Sequence, residues 1–211
     1  METVVPMALG PLQTNAFIIP TGEQSFFIVD APLGCWGEVQ ERQRRTGERC
    51  AGLLLTHGHW DHIVEVADFN AAGIPVTAHP GDRDWIENPS LMADFLPFYL
   101  DLRPGKIDQW VEDGETIQVG QEKVEILLVP GHAPGNICFY FPIRKEVFAG
   151  DALFQGSVGR YDLPRGDGKL LLESIRKKLL TLPPETVVYP GHGPETTIGF
   201  EQKNNPFLQS F

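Results

Sequence analysis

Cysteine is scarce and scattered. Cys35, Cys50 and Cys138 stand far apart in the 211-residue chain and form no C-x-x-C pair. A disulfide framework is therefore not expected, and a reducing, cytoplasmic setting is. There is no run of about 18 or more apolar residues, so no membrane-spanning helix is expected. The opening METVVPMALG has no basic region leading into a long apolar stretch, which argues against a secretory signal. Positive charge is also in short supply: 17 Lys and Arg face 28 Asp and Glu, a net charge of −11. Such a surface repels phosphate backbones. Only RQRR at 42–45 and RKK at 176–178 cluster, both in segments that read as solvated helix faces. Neither nucleic acid nor a membrane is expected as a partner. With no G-x-x-x-x-G-K-S/T loop, nucleotide hydrolysis through a P-loop is unsupported as well.

What is present is a series of short apolar runs. AFIIP (16–20) and SFFIVD (25–30) flank TGEQ and read as a hairpin. Further strands are expected at 52–56, 74–78, 116–119, 123–129, 137–141, 146–149 and 186–189. The polar stretch 37–48 reads as a surface helix. HIVEVADFNAAG (62–73) reads as another, stopped by Gly73 and Pro75, and KLLLESIRKKLLTL (169–182) as an amphipathic third. Segment 80–110 mixes Pro and aromatics with weak periodicity and reads as a broken helical excursion over a cleft. Its Phe95, Phe98 and Tyr99 are either cleft walls or core. The length fits one domain, 1–211. Strands with interspersed helices suggest an α/β-type layered domain (α+β in some schemes) with two mixed sheets packed together and helices outside.

Four of these strands end in the same way. LLLT is followed by His57-Gly58-His59-Trp60-Asp61-His62, ILLVP by Gly131-His132, EVFA by Gly150-Asp151 and TVVYP by Gly191-His192. Loops at strand ends can aim side chains into one cleft while the sheet holds them rigid, and glycine permits the sharp turns. His57 and His59 are two apart, so in an extended loop they point the same way. Asp61 is also the residue type that caps a helix N-terminus, but that role leaves its neighbours unexplained. Five of the six histidines fall in these turns. Without a cation they would be crowded, desolvated and mutually repelling on protonation. Imidazole and carboxylate are the natural ligands of a divalent metal. Seven candidate ligands (His57, His59, Asp61, His62, His132, Asp151 and His192) are too many for one tetrahedral ion, whereas two ions about 3.5–4 Å apart that share a carboxylate fit. His79 follows another strand and reads as structural. Cys138, in ICFYF, reads as a small buried hydrophobe.

THGHWDH, PGHAPGN (130–136), GDALF (150–154) and PGHG, taken in that order, resemble the motifs of the metallo-β-lactamase-fold hydrolases. GDALFQGSVGRYDLPRGD and PGHGPETTIGFEQKNNPF look most like the short glyoxalase II-like enzymes of hydroxyacylglutathione hydrolase type. The resemblance implies a four-layer αββα sandwich. It implies one metal on His57, His59 and His132, a second on Asp61, His62 and His192, and Asp151 between them. Zinc is the usual assignment, and iron and manganese occur in such sites. Asp30 resembles a family aspartate near the site and reads as support for a ligand, with a plain turn role as the alternative. Ala133 replaces a common Thr, Tyr161 stands where Thr or Phe is usual, and no counterpart is expected of the helical domain that grips glutathione in the long enzymes.

The expected activity is hydrolysis of a small-molecule thioester, S-2-hydroxyacylglutathione foremost, by a metal-bridging hydroxide. Asp61 and Asp151 are the catalytic candidates, and Asp61 would take or orient the nucleophile's proton. Arg160, Tyr161 and Lys169, with Arg165, are candidate substrate contacts, although Arg160 can equally brace its loop against Asp162. One rival is a mononuclear Fe(II) persulfide dioxygenase using His57, His132 and Asp151, and another is a hydrolase of a different ester or lactone. Asp151 argues against a β-lactamase, and His59 against a flavodiiron module, which wants Glu there. The oligomeric state is not legible.

Overall fold

The computed structural model describes residues 3–22, 24–95, 100 and 102–209. Phe98 and Tyr99, read from the sequence as either cleft walls or core, lie outside the described residues, and so does the side chain of Phe95.

Two mixed six-stranded sheets form the centre. The first runs in the order β1 (Val5–Leu9), β2 (Thr14–Pro20), β3 (Ser25–Val29), β4 (Arg49–Leu54), β5 (Val76–Ala78) and β6 (Gln109–Trp110). β1, β2 and β3 pair antiparallel, and β3 to β6 pair parallel. The second sheet, built from β7 (Thr116–Val119), β8 (Glu122–Leu128), β9 (Ile137–Phe141), β10 (Glu146–Gly150), β13 (Val187–Pro190) and β14 (Thr196–Thr197), has the order β14-β13-β10-β9-β8-β7. β10 and β13 are parallel and the other pairs antiparallel. A small hairpin, β11 (Leu153–Phe154) with β12 (Ser157–Val158), stands apart.

The apolar runs are continuous because both faces of most central strands are buried. In β3, Phe26 and Ile28 join the core beneath the outer helices, while Val29 joins the core between the sheets, with Phe27 packed against it. In β9, Ile137, Phe139 and Phe141 face the inter-sheet core, and Cys138 and Tyr140 the opposite one. Each fully buried side chain of this size contributes about 1.5–3 kcal/mol. The layers are helix, sheet, sheet, helix. α1 (Cys35–Thr46), α2 (Trp60–Ile63) and α3 (Val66–Ala71) contribute to the core on the first sheet. α5 (Gly168–Ser174), the wide turn Ile175–Leu179 and α6 (Ile198–Asn204) do so on the second.

Three helix readings need correction. The expected 62–73 helix is two helices, broken at Glu65. The Glu65 N–H donates to the Ala31 carbonyl, and its carboxylate accepts from the N–H groups of Gly34 and Trp36 at 2.7 and 2.6 Å, fixing the start of α1. The 169–182 helix is regular only to Ser174 and then widens, with Leu180 N–H bonding Ile175 O. α6, capped by the Thr197 hydroxyl, was not foreseen. The 80–110 excursion is broken as expected, into tight turns at Pro80–Asp82 and Pro89–Phe95 around α4 (Arg83–Glu87). β1 was missed because most of its residues are exposed or half-buried, and β6, β11, β12 and β14 because two residues give no alternation. Among the described residues no helix is long and apolar enough to cross a membrane. The thiols of Cys35, Cys50 and Cys138 are free and buried.

Candidate metal centre

Strand direction gathers the polar loops. The parallel strands β3 and β4 end at the same edge of the first sheet, which puts Asp30 beside the 55–62 loop. β8, β10 and β13 point one way in the second sheet, so His132, Asp151 and His192 leave from one edge. β2 runs antiparallel to β3, which brings its first residue, Thr14, to the same end. Backbone bonds fuse the sheets there: Ile137 N–H to Thr56 O at 2.9 Å, and Asn15 N–H to Gly191 O at 2.7 Å.

The structure brings all seven residues singled out in the sequence to this end. His57, His59, Asp61, His62, His132 and Asp151 are buried, and His192 is half-buried. Three groups have mutually close donor atoms: His57, His59 and His132; Asp61, His62 and His192; and His57, His62 and Asp151. His132 Nε2 lies 2.8 Å from His59 Nδ1 and 3.2 Å from His57 Nε2. Asp61 Oδ2 lies 3.4 Å from His62 Nε2 and 3.3 Å from His192 Nε2. Asp151 spans both sets, with Oδ1 3.5 Å from His62 Nε2 and Oδ2 3.5 Å from both His132 Nε2 and His192 Nε2. Gly191 is required here, since a Cβ on it would fall 2.1 Å from Asp151 Oδ1.

Outer contacts fix the tautomers. His132 Nδ1–H donates to the Arg160 carbonyl at 2.7 Å, which leaves the Nε2 lone pair facing inward. His62 Nδ1–H donates to Asp30 Oδ2 at 2.7 Å. The Thr56 hydroxyl donates to the same Asp30 oxygen, also at 2.7 Å, and so is free to accept His57 Nδ1–H at 3.0 Å. Asp30 takes a left-handed φ of 60°, a turn that Asp tolerates, and its other oxygen accepts the Thr56 N–H. The inward lone pairs of His57 and His132 face each other at 3.2 Å, with His59 Nδ1 2.8 Å from His132 Nε2. His62 Nε2 and Asp151 Oδ1 are buried and have no hydrogen-bond partner. Convergent lone pairs with unpaired buried acceptors are the donor set a divalent cation requires.

The two ends of the cluster differ electrically. Burial, and then the neighbouring imidazoles, push His57 and His59 well below the usual histidine range, and burial lowers His132. Burial also opposes charge on His62, but Asp61, Asp30 and Asp151 outweigh it and raise it to about 10. His192 is raised against its burial by Asp61 and Asp151. Asp61 is held below the usual carboxylate range: burial works against this, and His62, His192 and Thr14 prevail.

A cleft of about 320 Å³ opens onto the cluster. Its walls are mostly apolar, with Leu12, Trp60, Trp85, Leu91, Met92, Leu163 and Pro164 beside Arg160. Arg160 forms a two-pronged pair with Asp162 at 2.8 and 2.9 Å, so it braces its loop at the rim. Tyr161 and Lys169, expected to contact substrate, are exposed and do not line the cleft. The Tyr161 ring lies over Gly168, where a Cβ would come within 2.7 Å of it. Arg165 stacks over Trp85 at 4.9 Å and donates to the Gly81 carbonyl. His79 is structural: its Nδ1 accepts the Gly81 N–H and its Nε2 lies 3.2 Å from Glu112.

Sequence reasoning missed the residues that tie the loops together. Thr14 Oγ1 donates to Asp61 Oδ2 at 2.8 Å, and Asn15 donates to the carbonyls of Pro190 and Gly193 at 2.9 and 2.8 Å, on either side of His192. Asp82 accepts backbone N–H groups from two loops, and burial pushes its carboxyl up to about 6. A polar TN pair just before an apolar strand was the available signal for the first. Asp82 sits in HPGD within a segment of weak pattern and offered none.

Two mixed sheets between helical layers, with a His/Asp cluster on their strand-end loops, define the metallo-hydrolase class. The family model described as the metallo-beta-lactamase superfamily matches residues 9–192, and the chain belongs to that family. It is 37% identical over 207 residues to hydroxyacylglutathione hydrolase GloC of Haemophilus influenzae, covering 94% of each chain. Among solved structures it is similar to a chain described as BLEG-1 B3 metallo-beta-lactamase, with 36% identity, a TM-score of 0.90 and 99% and 100% of the two chains covered. It is also similar to TTHA1623 in a di-iron-bound form, with 41% identity, a TM-score of 0.86 and 97% and 100% covered.

Proposed function

We propose that the protein is a metal-dependent thioester hydrolase, with S-2-hydroxyacylglutathione as its foremost substrate, and that residues 1–211 act as one domain in a reducing cytoplasm. The observation that carries this reading is the convergence of seven His and Asp side chains at one cleft, which His59, Asp61, His132, Asp151 and His192 line. The likeness to hydroxyacylglutathione hydrolase GloC supports the substrate.

His57, His59 and His132 would hold one divalent ion, and Asp61, His62 and His192 a second, with Asp151 shared. Zinc is the leading metal. The di-iron neighbour supports iron as the next choice, ahead of manganese. Ions held there supply Lewis acidity, lowering the pKa of water from 15.7 towards about 7 and polarising a carbonyl. The chain's own groups do the rest. Asp61, anchored by Thr14 and kept ionised, is placed to accept or orient the proton of the attacking water through Oδ2. Asp151 faces both sets of histidines. Trp60, Trp85 and Met92 shut out bulk water and pack the apolar part of the acyl group. A thiolate leaves without a strong general acid, which matches a cleft lining whose carboxylates, among the described residues, are Asp61 and Asp151.

A second reading, β-lactam hydrolysis, has the likeness to the chain described as a B3 metallo-beta-lactamase on its side and Asp151 against it. The test is to count metal ions in protein purified without added metal, and then to assay S-D-lactoylglutathione beside a chromogenic cephalosporin. Two ions per chain with faster thioester cleavage is the expected result. Preference for the cephalosporin selects the second reading. One iron with oxygen uptake on glutathione persulfide would instead make the protein a dioxygenase.

A further inference from the structure

Asp82 lies in a tight turn remote in sequence from every strand-end motif, yet it is 1% exposed. Each of its carboxylate oxygens accepts one backbone N–H, and the two donors come from different loops. Oδ2 takes Gly58 N–H at 2.9 Å, and Gly58 stands between His57 and His59. Oδ1 takes Gly135 N–H at 2.8 Å, from the loop that presents His132. The three segments also interlock sterically. A Cβ on Gly58 would lie 2.7 Å from Asp82 Cβ, and one on Gly135 would lie 2.8 Å from Asp82 Cγ. Backbone donors and missing side chains thus converge on one carboxylate. Burying a carboxylate is costly, and apolar filling would be the cheaper way to pack the turn.

We propose that Asp82 is a positioning residue that ties the His57/His59 loop to the His132 loop and so sets the spacing of the three-histidine half of the centre. The proposal rests on the metal-binding reading above. Asp82 touches neither metal nor substrate and acts only through Gly58 and Gly135. The other half has its own tether in Thr14 and Asn15, so loss of Asp82 should act on one half selectively.

The test uses the full chain, stripped with chelator and titrated with cobalt(II). Binding is followed by the visible absorption of the ion, which reports its ligand geometry. D82N is nearly isosteric but offers a single acceptor oxygen where two donors wait. G135A leaves every polar group in place and pushes a methyl group onto Asp82. His132→Ala and His192→Ala supply reference spectra for damage to each half. The expected result is that D82N and G135A weaken one of two cobalt sites by about 10–100-fold, the range for outer supports of a metal site, and that the remaining spectrum matches that of His132→Ala. The proposal is overturned if both variants bind as the wild type does, even with a lowered melting temperature, or if their spectra match that of His192→Ala. A wild type that binds no cobalt removes the underlying reading and this inference with it, whereas two-site binding unaffected by D82N removes the inference alone.

Discussion

His57, His59 and His132 sit chiefly among other imidazoles, whereas His62 and His192 sit among carboxylates. Burial and neighbouring imidazoles push His57 and His59 towards the neutral form, and burial does the same for His132 against the pull of Asp151. The other two are drawn towards charge by Asp61, Asp151 and, for His62, Asp30. In the first half burial disfavours the protonated imidazole, and in the second the carboxylates favour it. A metal therefore competes with protons more in the second half. One fold edge therefore supports two sites of unequal proton competition, and Asp151 is the residue common to both.

Removing the shared residue should have the largest effect. Asp151→Ala is expected to lower thioester turnover by more than about 100-fold, beyond the range for outer supports, and to reduce metal content, as read by elemental analysis and steady-state rates. Unchanged turnover would mean that the halves do not work together. Next comes Asp30→Asn, which takes the carboxylate from His62 Nδ1. Metal affinity of the carboxylate-rich half should fall by about 10–100-fold, and that of the three-histidine half, which Asp30 reaches only through Thr56 and His57, by less, a split that competitive chelator titration resolves.

The third prediction concerns pH in the chelator-treated protein. His62 has a raised folded-state pKa, so its stabilisation is complete below about 6.5, the unfolded value, and is lost as pH climbs towards about 10. His57 and His59 have lowered values, so they cost stability as pH falls below about 6.5, where the unfolded chain takes up protons that the fold refuses. The melting temperature of the metal-free protein should therefore peak near neutrality and decline on both sides. Loading with metal should flatten the alkaline decline. A monotonic profile would contradict the contrast between the halves. The smallest effect is expected from Thr14→Val, which removes one hydroxyl from Asp61. About a tenfold loss of affinity confined to the second half, at the low end for outer supports, distinguishes a tether from a bystander.

The sandwich was readable wherever a strand is buried on both faces, because β3, β4, β9 and β10 then spell unbroken apolar runs. It was unreadable at β1, an edge with exposed residues, and at the two-residue strands, which carry no period. The helix break at Glu65 was hidden because its cause is a bond to Gly34 and Trp36, about 30 positions away. The centre stood out as a group because histidine is rare in this chain and five of its six copies follow apolar runs. Arg160 lines the cleft, whereas Tyr161 and Lys169, named with it as substrate contacts, are exposed and outside the lining.

By itself the sequence determined which side chains could meet at the centre, because residue chemistry and strand-end spacing are local properties. It also determined the layered class, through apolar runs that only a doubly covered sheet can bury. Only the tertiary structure decided which histidines are neutral and which are drawn to charge, and that Asp82, Thr14 and Asn15 hold the loops in register. Those outcomes depend on burial and on hydrogen bonds between segments as far apart as Asn15 and Pro190, and no local pattern encodes a partner so remote.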